Sequence, residues 1–213
     1  MADGPETLIL GQDCLQREAA ALCRIEPRFR PVWDHLDEIP LRLRPDGFSA
    51  LLFAIVGQQV STASAAAIWA RLQEAGFDDT ANVALAGDQD LANVGLSRPK
   101  IRYVKALAEA AIDYPALHHL PSDQVINTLT AVPGIGIWTA EIYALFALAR
   151  ADVFPAGDLA LQEAAKRLFD LPERPKEKAM RAMARGWSPN RGVAARLLWA
   201  YYRMETEREG IGE

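Results

Sequence analysis

Cysteine is nearly absent from this sequence of 213 residues: only Cys14 and Cys23 occur, too few for a disulfide framework and without the spacing of a metal-ligand set. Structural zinc and iron–sulfur clusters are thereby excluded, and a reducing compartment suits the chain. The three histidines, His35, His118 and His119, have no Asp, Glu or Cys at ligand spacing, so no catalytic metal is expected. Long apolar runs are missing too. The longest, such as Ala50 to Val56, fall far short of a bilayer span, and the start MADGPETLIL lacks a basic region followed by an apolar run and a cleavage site. The expectation is a cytoplasmic protein with no membrane attachment. Nor is positive charge in excess: 23 Lys and Arg stand against 28 Asp and Glu, a net charge of −5, which excludes coating nucleic acid by bulk electrostatics. Arg98, Lys100, Arg102 and Lys105 form one basic cluster and Arg181, Arg185, Arg191 and Arg196 another, either local anion-binding faces or ordinary solvated helix faces.

Half of the residues are hydrophobic, enough to bury a substantial core in one domain or in two lobes sharing a core. Their spacing is helical. Phe48, Leu51, Leu52, Ile55 and Val56 recur at intervals of three and four, as do Leu161, Ala164, Ala165 and Leu168, and no alternating strand pattern stands out. Asp46 and Ser122 precede helical stretches as N-caps. Gly57, Gly95, Pro99, Pro115, Pro121, Pro133, Gly136, Pro155, Pro172 and Pro189 cut the chain into about ten short segments. The reading is all-α. Internal repeats are lacking, and the residues before Asp13 and after Glu205, which include Glu207, Glu209 and Glu213, are expected to fray.

The stretch LTAVPGIGIWTAEIYALFALARADVFPAGD, Leu129 to Asp158, concentrates the chemistry. Ser122 to Ala131 reads as a helix, Val132 to Gly136 as a tight turn and Ile137 to Ala149 as a second helix, so 122–149 forms a helix, hairpin and helix. Gly134 and Gly136 tolerate backbone angles barred to other residues and leave room for a ligand, while the next helix offers unpaired N–H groups and its positive dipole end. Such a turn binds phosphate. Ile135, between the glycines, anchors the turn in the core, and carbonyls in such a turn can face a monovalent cation that bridges to the phosphate. The same PGIG serves equally as a helix C-cap followed by a short turn in a bundle.

Val132-Pro133-Gly134-Ile135-Gly136, Trp138-Thr139-Ala140, Asp152-Val153-Phe154-Pro155 and Asp158, in that order, resemble the helix-hairpin-helix DNA glycosylase superfamily, and within it the 3-methyladenine DNA glycosylase II group. The resemblance extends upstream to Phe48-Ser49-Ala50-Leu51-Leu52, Ile55 to Ser61 (IVGQQVS) and Gly95-Leu96-Ser97 with Lys100-Ile101, and downstream to Trp187-Ser188-Pro189, Arg191 and Leu198-Trp199. It covers residues 45–202. It implies an all-α, two-lobed fold with the active cleft between the lobes: lobe A over 1–45 plus 160–213, and lobe B over 46–159. The hairpin would hold a DNA strand through Val132, Gly134, Ile135 and Gly136. A structural Na+ or K+ would rest on the backbone carbonyls of Thr130, Val132 and Ile135, and no other cofactor is required. The implied partner is double-stranded DNA containing alkylated bases, bound by a monomer that is cytoplasmic and nucleoid-associated when on DNA.

In bifunctional members of that superfamily a lysine beside the hairpin attacks the sugar and allows strand cleavage; here the slot holds Trp138, which implies a monofunctional enzyme that leaves an abasic site. The resemblance makes Asp158 the catalytic carboxylate, and Asp158 also suits a plain N-cap for the helix starting at Leu159. Trp138 would stack on the extruded base, or else pack in the core. Gln58 and Gln59 occupy the turn that would carry the intercalating wedge, with Gln59 at the wedge itself; without the resemblance they read as a polar helix break. Ile142 takes a tyrosine position of the base pocket and Asn190 one where tryptophan can occur, so the pocket is expected to be less aromatic and its lesion range broader, reaching 1-methyladenine or 3-methylcytosine. Trp187 and Trp199 are assigned to packing between the lobes. The alternatives are a glycosylase for oxidised or mismatched bases, and a non-catalytic hairpin module that binds bent or damaged DNA.

Overall fold

The spacing of apolar residues at three and four is realised as helices almost throughout. The computed structural model describes residues 6–208, and thirteen α-helices follow one another among them: α1 (Gln12–Ile25), α2 (Arg30–Asp34), α3 (Phe48–Val56), α4 (Thr62–Glu74), α5 (Thr80–Leu85), α6 (Asp88–Asn93), α7 (Arg98–Glu109), α8 (Tyr114–Leu117), α9 (Ser122–Thr130), α10 (Ile137–Phe146), α11 (Leu159–Leu168), α12 (Glu177–Ala184) and α13 (Arg191–Arg208). No strand occurs among the described residues. The one extended pairing is a bridge between Leu8 and Arg150, and no described helix is long and apolar enough to cross a membrane. The acidic Glu209 and Glu213 lie outside the described residues.

There are more helices than the ten or so segments expected, because unnamed breaks such as Gly76 and Gly87 separate α4, α5 and α6; two of the named prolines open helices instead of ending them. Pro99 and Pro115 sit in the first turns of α7 and α8, where the missing N–H costs nothing. The expected N-caps shift by a residue. Gly47 takes the cap position of α3 while Asp46 pairs with His118 at 2.6 Å, and Ser122 is the first residue of α9, not its cap.

The helices gather into two compact units, one built from the chain up to Leu43 and from Ala144 onward, the other from Arg44–Tyr143. The second boundary therefore falls inside α10, so residues 144–159, which the sequence reading assigned to lobe B, belong with the termini. The reason is hydrogen bonding. Ile9 N–H donates to Ala149 O (2.8 Å), Ala151 N–H to Thr7 O (2.9 Å) and Gly192 N–H to Ala151 O (2.7 Å). The same bonds pin residues 7–9, in place of the fraying expected there.

In the first unit α13 packs against α11 and α1 through buried Val193, Ala194, Leu197 and Leu198. Trp187 is buried among Phe29, Phe154 and Phe169, with ring centroids 5.4–5.6 Å away. Trp199 lies 5.6 Å from Phe146. Both tryptophans thus find their ring partners within this unit, which replaces their assignment to inter-lobe packing. Arg196 is only 1% exposed; it donates to the carbonyls of Gly192, Leu41 and Leu145, and burial with Arg42 nearby pulls its guanidinium down to about 10. With Arg191 bound to Asp152 and Arg181 to Glu177, three of the four arginines of the second basic cluster have partners within the fold.

In the second unit α7 is the centre, packed against α3, α5 and α6. Ile101, Val104 and Leu107 are buried, and Tyr103 supports the hairpin from the same helix.

Candidate active site

The hairpin forms as its residues dictate. Ala131 caps α9, Val132 N–H donates to Leu129 O and Ile135 N–H to Val132 O (both 3.1 Å), and the buried Val132 and Ile135 hold the turn in the second unit. Its two glycines differ. Gly134 has φ +93°, and a Cβ there would stand 2.4 Å from the Tyr103 ring, so only glycine fits. Gly136 has no positive φ, and a Cβ added there would meet nothing within 4 Å. Its backbone is exposed at the start of α10, where Ala140 N–H donates to its carbonyl at 3.1 Å.

The turn after α3 is tied to this hairpin. Gln58 Nε2 donates to the Gly134 carbonyl at 2.9 Å, so Gln58 braces the turn against the hairpin. Lys100 Nζ donates to Val56 O at 2.6 Å, where burial pushes its ammonium below the ordinary lysine range; this lysine of the first basic cluster closes the C-terminus of α3 instead of facing an anion. Just after these anchors Gln59 is exposed at φ +56°, a left-handed conformation that costs a non-glycine residue about 1–2 kcal/mol. Strain of that kind concentrates at functional turns.

Trp138, the second residue of α10, has 45% of its surface exposed, which rules out ordinary core packing. Ile142, one turn later, is half-buried.

The loop from Ala151 to Asp158 belongs to the first unit. Asp152 is engaged by the guanidinium of Arg191 (2.8 and 2.9 Å) and by Ser188 Oγ (2.7 Å), which makes it a structural carboxylate. Asp158 is different. It caps α11, accepting Leu161 N–H at Oδ1 (3.1 Å), and the same oxygen accepts the indole N–H of Trp199 at 3.2 Å. Asn190, expected in the base pocket, is 1% exposed, and its amide donates to Glu18 at 2.6 Å. Its carbonyl accepts the first N–H groups of α13, from Val193 and Ala194, so its role is to start that helix and anchor it to α1.

A glycine turn braced by Gln58, a strained Gln59 next to it, an exposed tryptophan after the turn and a capped aspartate farther along the chain make a pattern that comparison with known proteins resolves. Residues 52–189 match the family described as HhH-GPD superfamily base excision DNA repair protein. The chain belongs to this superfamily. A relative of this HhH-GPD chain is the putative DNA-3-methyladenine glycosylase YfjP of Bacillus subtilis, 26% identical over 93% of this chain and 79% of that protein. Among solved structures, the DNA-3-methyladenine glycosidase of Bacillus halodurans superposes with a TM-score of 0.82 at 30% identity, over 89% of this chain and 91% of that one. The Schizosaccharomyces pombe 3-methyladenine DNA glycosylase Mag1, solved in complex with abasic DNA, superposes with a TM-score of 0.73 at 25% identity, over 86% of this chain and 95% of that one. Sequence reasoning missed two contacts, that of Lys100 with Val56 in the second unit and that of Trp199 with Asp158 in the first. Nothing local marks either, since each bonds to a partner remote in the chain.

Proposed function

We propose that the protein is a monofunctional DNA glycosylase of base excision repair that flips alkylated bases such as 3-methyladenine and 7-methylguanine out of duplex DNA and hydrolyses the N-glycosidic bond. The observation that carries this reading is Asp158: a single carboxylate held at a helix start by two donors, in a chain whose hairpin is followed by Trp138 rather than lysine. The similarity to 3-methyladenine glycosylases supports the same substrate class.

The chemistry follows from one carboxylate. As the bond from C1′ to the base nitrogen breaks, its electron pair leaves with the base and positive charge develops on the sugar; a nearby carboxylate stabilises that charge and orients the water that adds to C1′ and sheds a proton. Sugar hydrolases usually need a second carboxyl group to protonate the leaving group. An alkylated purine already carries positive charge and departs as a neutral base, so Asp158 suffices. Extrusion of the base costs a few kcal/mol, least for damaged pairs, and Gln59 is suited to fill the gap and hydrogen-bond the orphaned partner. Trp138 offers the face on which the base stacks, worth roughly 1–3 kcal/mol with a cation–π contribution for a cationic base. Gly136 and the N–H groups at the start of α10 receive a backbone phosphate. The carbonyls of Thr130, at the end of α9, and of Val132 and Ile135 are the hard oxygen donors that would hold a Na+ or K+, whose charge would favour a DNA phosphate. The protein acts as a cytoplasmic monomer. With Asn190 buried, a broad lesion range rests on Ile142 alone.

Incubation with alkylated duplex tests the reading. Free 3-methyladenine is expected by chromatography, with strands that stay intact until alkali cleaves the abasic sites; strand cutting without alkali, or binding with no base released, overturns it. A second expectation concerns the brace. Gln58→Ala removes one hydrogen bond, worth ~1 kcal/mol, between the Gln59 turn and the hairpin. Undamaged duplex should bind as before, while base extrusion, followed by the fluorescence of 2-aminopurine beside the lesion, falls about fivefold; equal losses in both would make Gln58 a general folding contact.

A further inference from the structure

We infer that Trp199 is a positioning residue for the reaction: its indole N–H fixes the orientation in which the Asp158 carboxylate meets the developing sugar charge. The inference rests on the reading of Asp158 as the catalytic carboxylate and adds to it the residue that aims it.

The geometry is specific. Asp158 is held from two elements at once, by the backbone N–H of Leu161 on its own helix and by Trp199 Nε1 on α13, and both donors meet at Oδ1. An N-cap bond alone leaves the carboxylate free to tilt about its terminal torsion, which has no sharp rotamer wells. A second donor from another helix removes that freedom. Indole is a donor with no acceptor at nitrogen, so Trp199 orients the carboxylate without competing for the protons of an attacking water.

The indole is itself well supported. Phe146 packs 5.6 Å from the Trp199 ring at 33° between planes, and the Arg42 guanidinium lies 5.7 Å over the ring. Arg42 adopts φ +55°, so the backbone accepts local strain where it brings this cation to the tryptophan. A tryptophan needed only for bulk could pair its N–H with a backbone carbonyl or water; this one meets the single carboxylate on which the proposed reaction depends.

The test uses the full chain and two duplexes, one holding a cationic pyrrolidine in place of the damaged nucleotide and one holding its uncharged tetrahydrofuran counterpart. Trp199→Phe keeps a ring and removes the donor. Its kcat for 3-methyladenine release is expected to fall about tenfold with KM unchanged, and its preference for pyrrolidine over tetrahydrofuran duplex should fall by the same factor. Asp158→Asn should lose that preference, and adding Trp199→Phe to it should cost no more, since the two act as one unit. If Trp199→Phe keeps kcat and preference within twofold while Asp158→Asn loses both, or if its losses add fully to those of Asp158→Asn, Trp199 is only a packing residue. If Asp158→Asn releases base at the wild-type rate, the catalytic reading of Asp158 fails first. Should the phenylalanine variant not fold, benzothienylalanine at position 199, which replaces the indole N–H by sulfur in a ring of nearly equal shape, gives the same measurement.

Discussion

Asp158→Asn is expected to slow release of 3-methyladenine from alkylated duplex by about 10²-fold or more while duplex affinity and melting temperature hold. Asparagine is as good an N-cap as aspartate, and its amide oxygen still accepts from Leu161 N–H and from the indole of Trp199, the two bonds seen at Asp158 Oδ1. At Oδ1 the substitution therefore removes the charge and keeps both bonds, and the lost rate reports the interaction between that charge and the sugar. Asp158→Ala is a poorer probe. It gives up the cap, about 1 kcal/mol, and leaves the indole N–H without its carboxylate, so reduced stability would mix with reduced catalysis. Single-turnover release with excess protein, read by chromatography beside a thermal melt, separates the two. An asparagine variant within tenfold of wild type would remove Asp158 from the reaction.

The second large effect lies in the hairpin and distinguishes its glycines. Gly134→Ala must accept φ +93° and drive a Cβ to 2.4 Å from the Tyr103 ring; backbone strain and overpacking together cost about 2–5 kcal/mol, a fall of roughly 5–20 °C in Tm for a chain of this size. Gly136→Ala meets nothing within 4 Å and should melt as the wild type does. Its added methyl instead stands on the exposed backbone proposed to receive a phosphate, so it should weaken duplex binding in an anisotropy titration with no loss of stability. If Gly136→Ala binds normally, the phosphate does not approach that backbone. A Gly134→Ala protein with unchanged Tm would show that Tyr103 swings away at little cost.

Much of this architecture can be read along the chain because its causes are local. The spacing of Phe48 to Val56 and of Leu161 to Leu168 predicts helices, and both segments are helices with buried faces. The turn at Pro133-Gly134 and the cap at Asp158 likewise follow from the backbone preferences of the residues themselves. The errors have a common source. Lys100 and Asn190 suggest ligand contacts by what their side chains could offer, but each has a backbone carbonyl or carboxylate within the fold to satisfy first. Arg196 looks like a surface cation in a helical register and is instead buried against three carbonyls.

The sequence by itself determined the all-α class, the order of helix, hairpin and helix, and the residues Trp138 and Asp158 around which the chemistry is proposed. Periodicity, turn chemistry and residue type act over a few positions, so they survive without the rest of the molecule. Only the tertiary structure decided which of two similar glycines has no room for a Cβ, that Gln58 braces while Gln59 is exposed, and that Trp199 bonds to Asp158. Those outcomes depend on pairs separated by 76 residues for Gln58 and Gly134, 41 for Trp199 and Asp158, and 172 for Asn190 and Glu18. A side chain's partner at such range is set by how buried helix faces pack and by the need to satisfy each polar group left inside, and no local pattern carries that information.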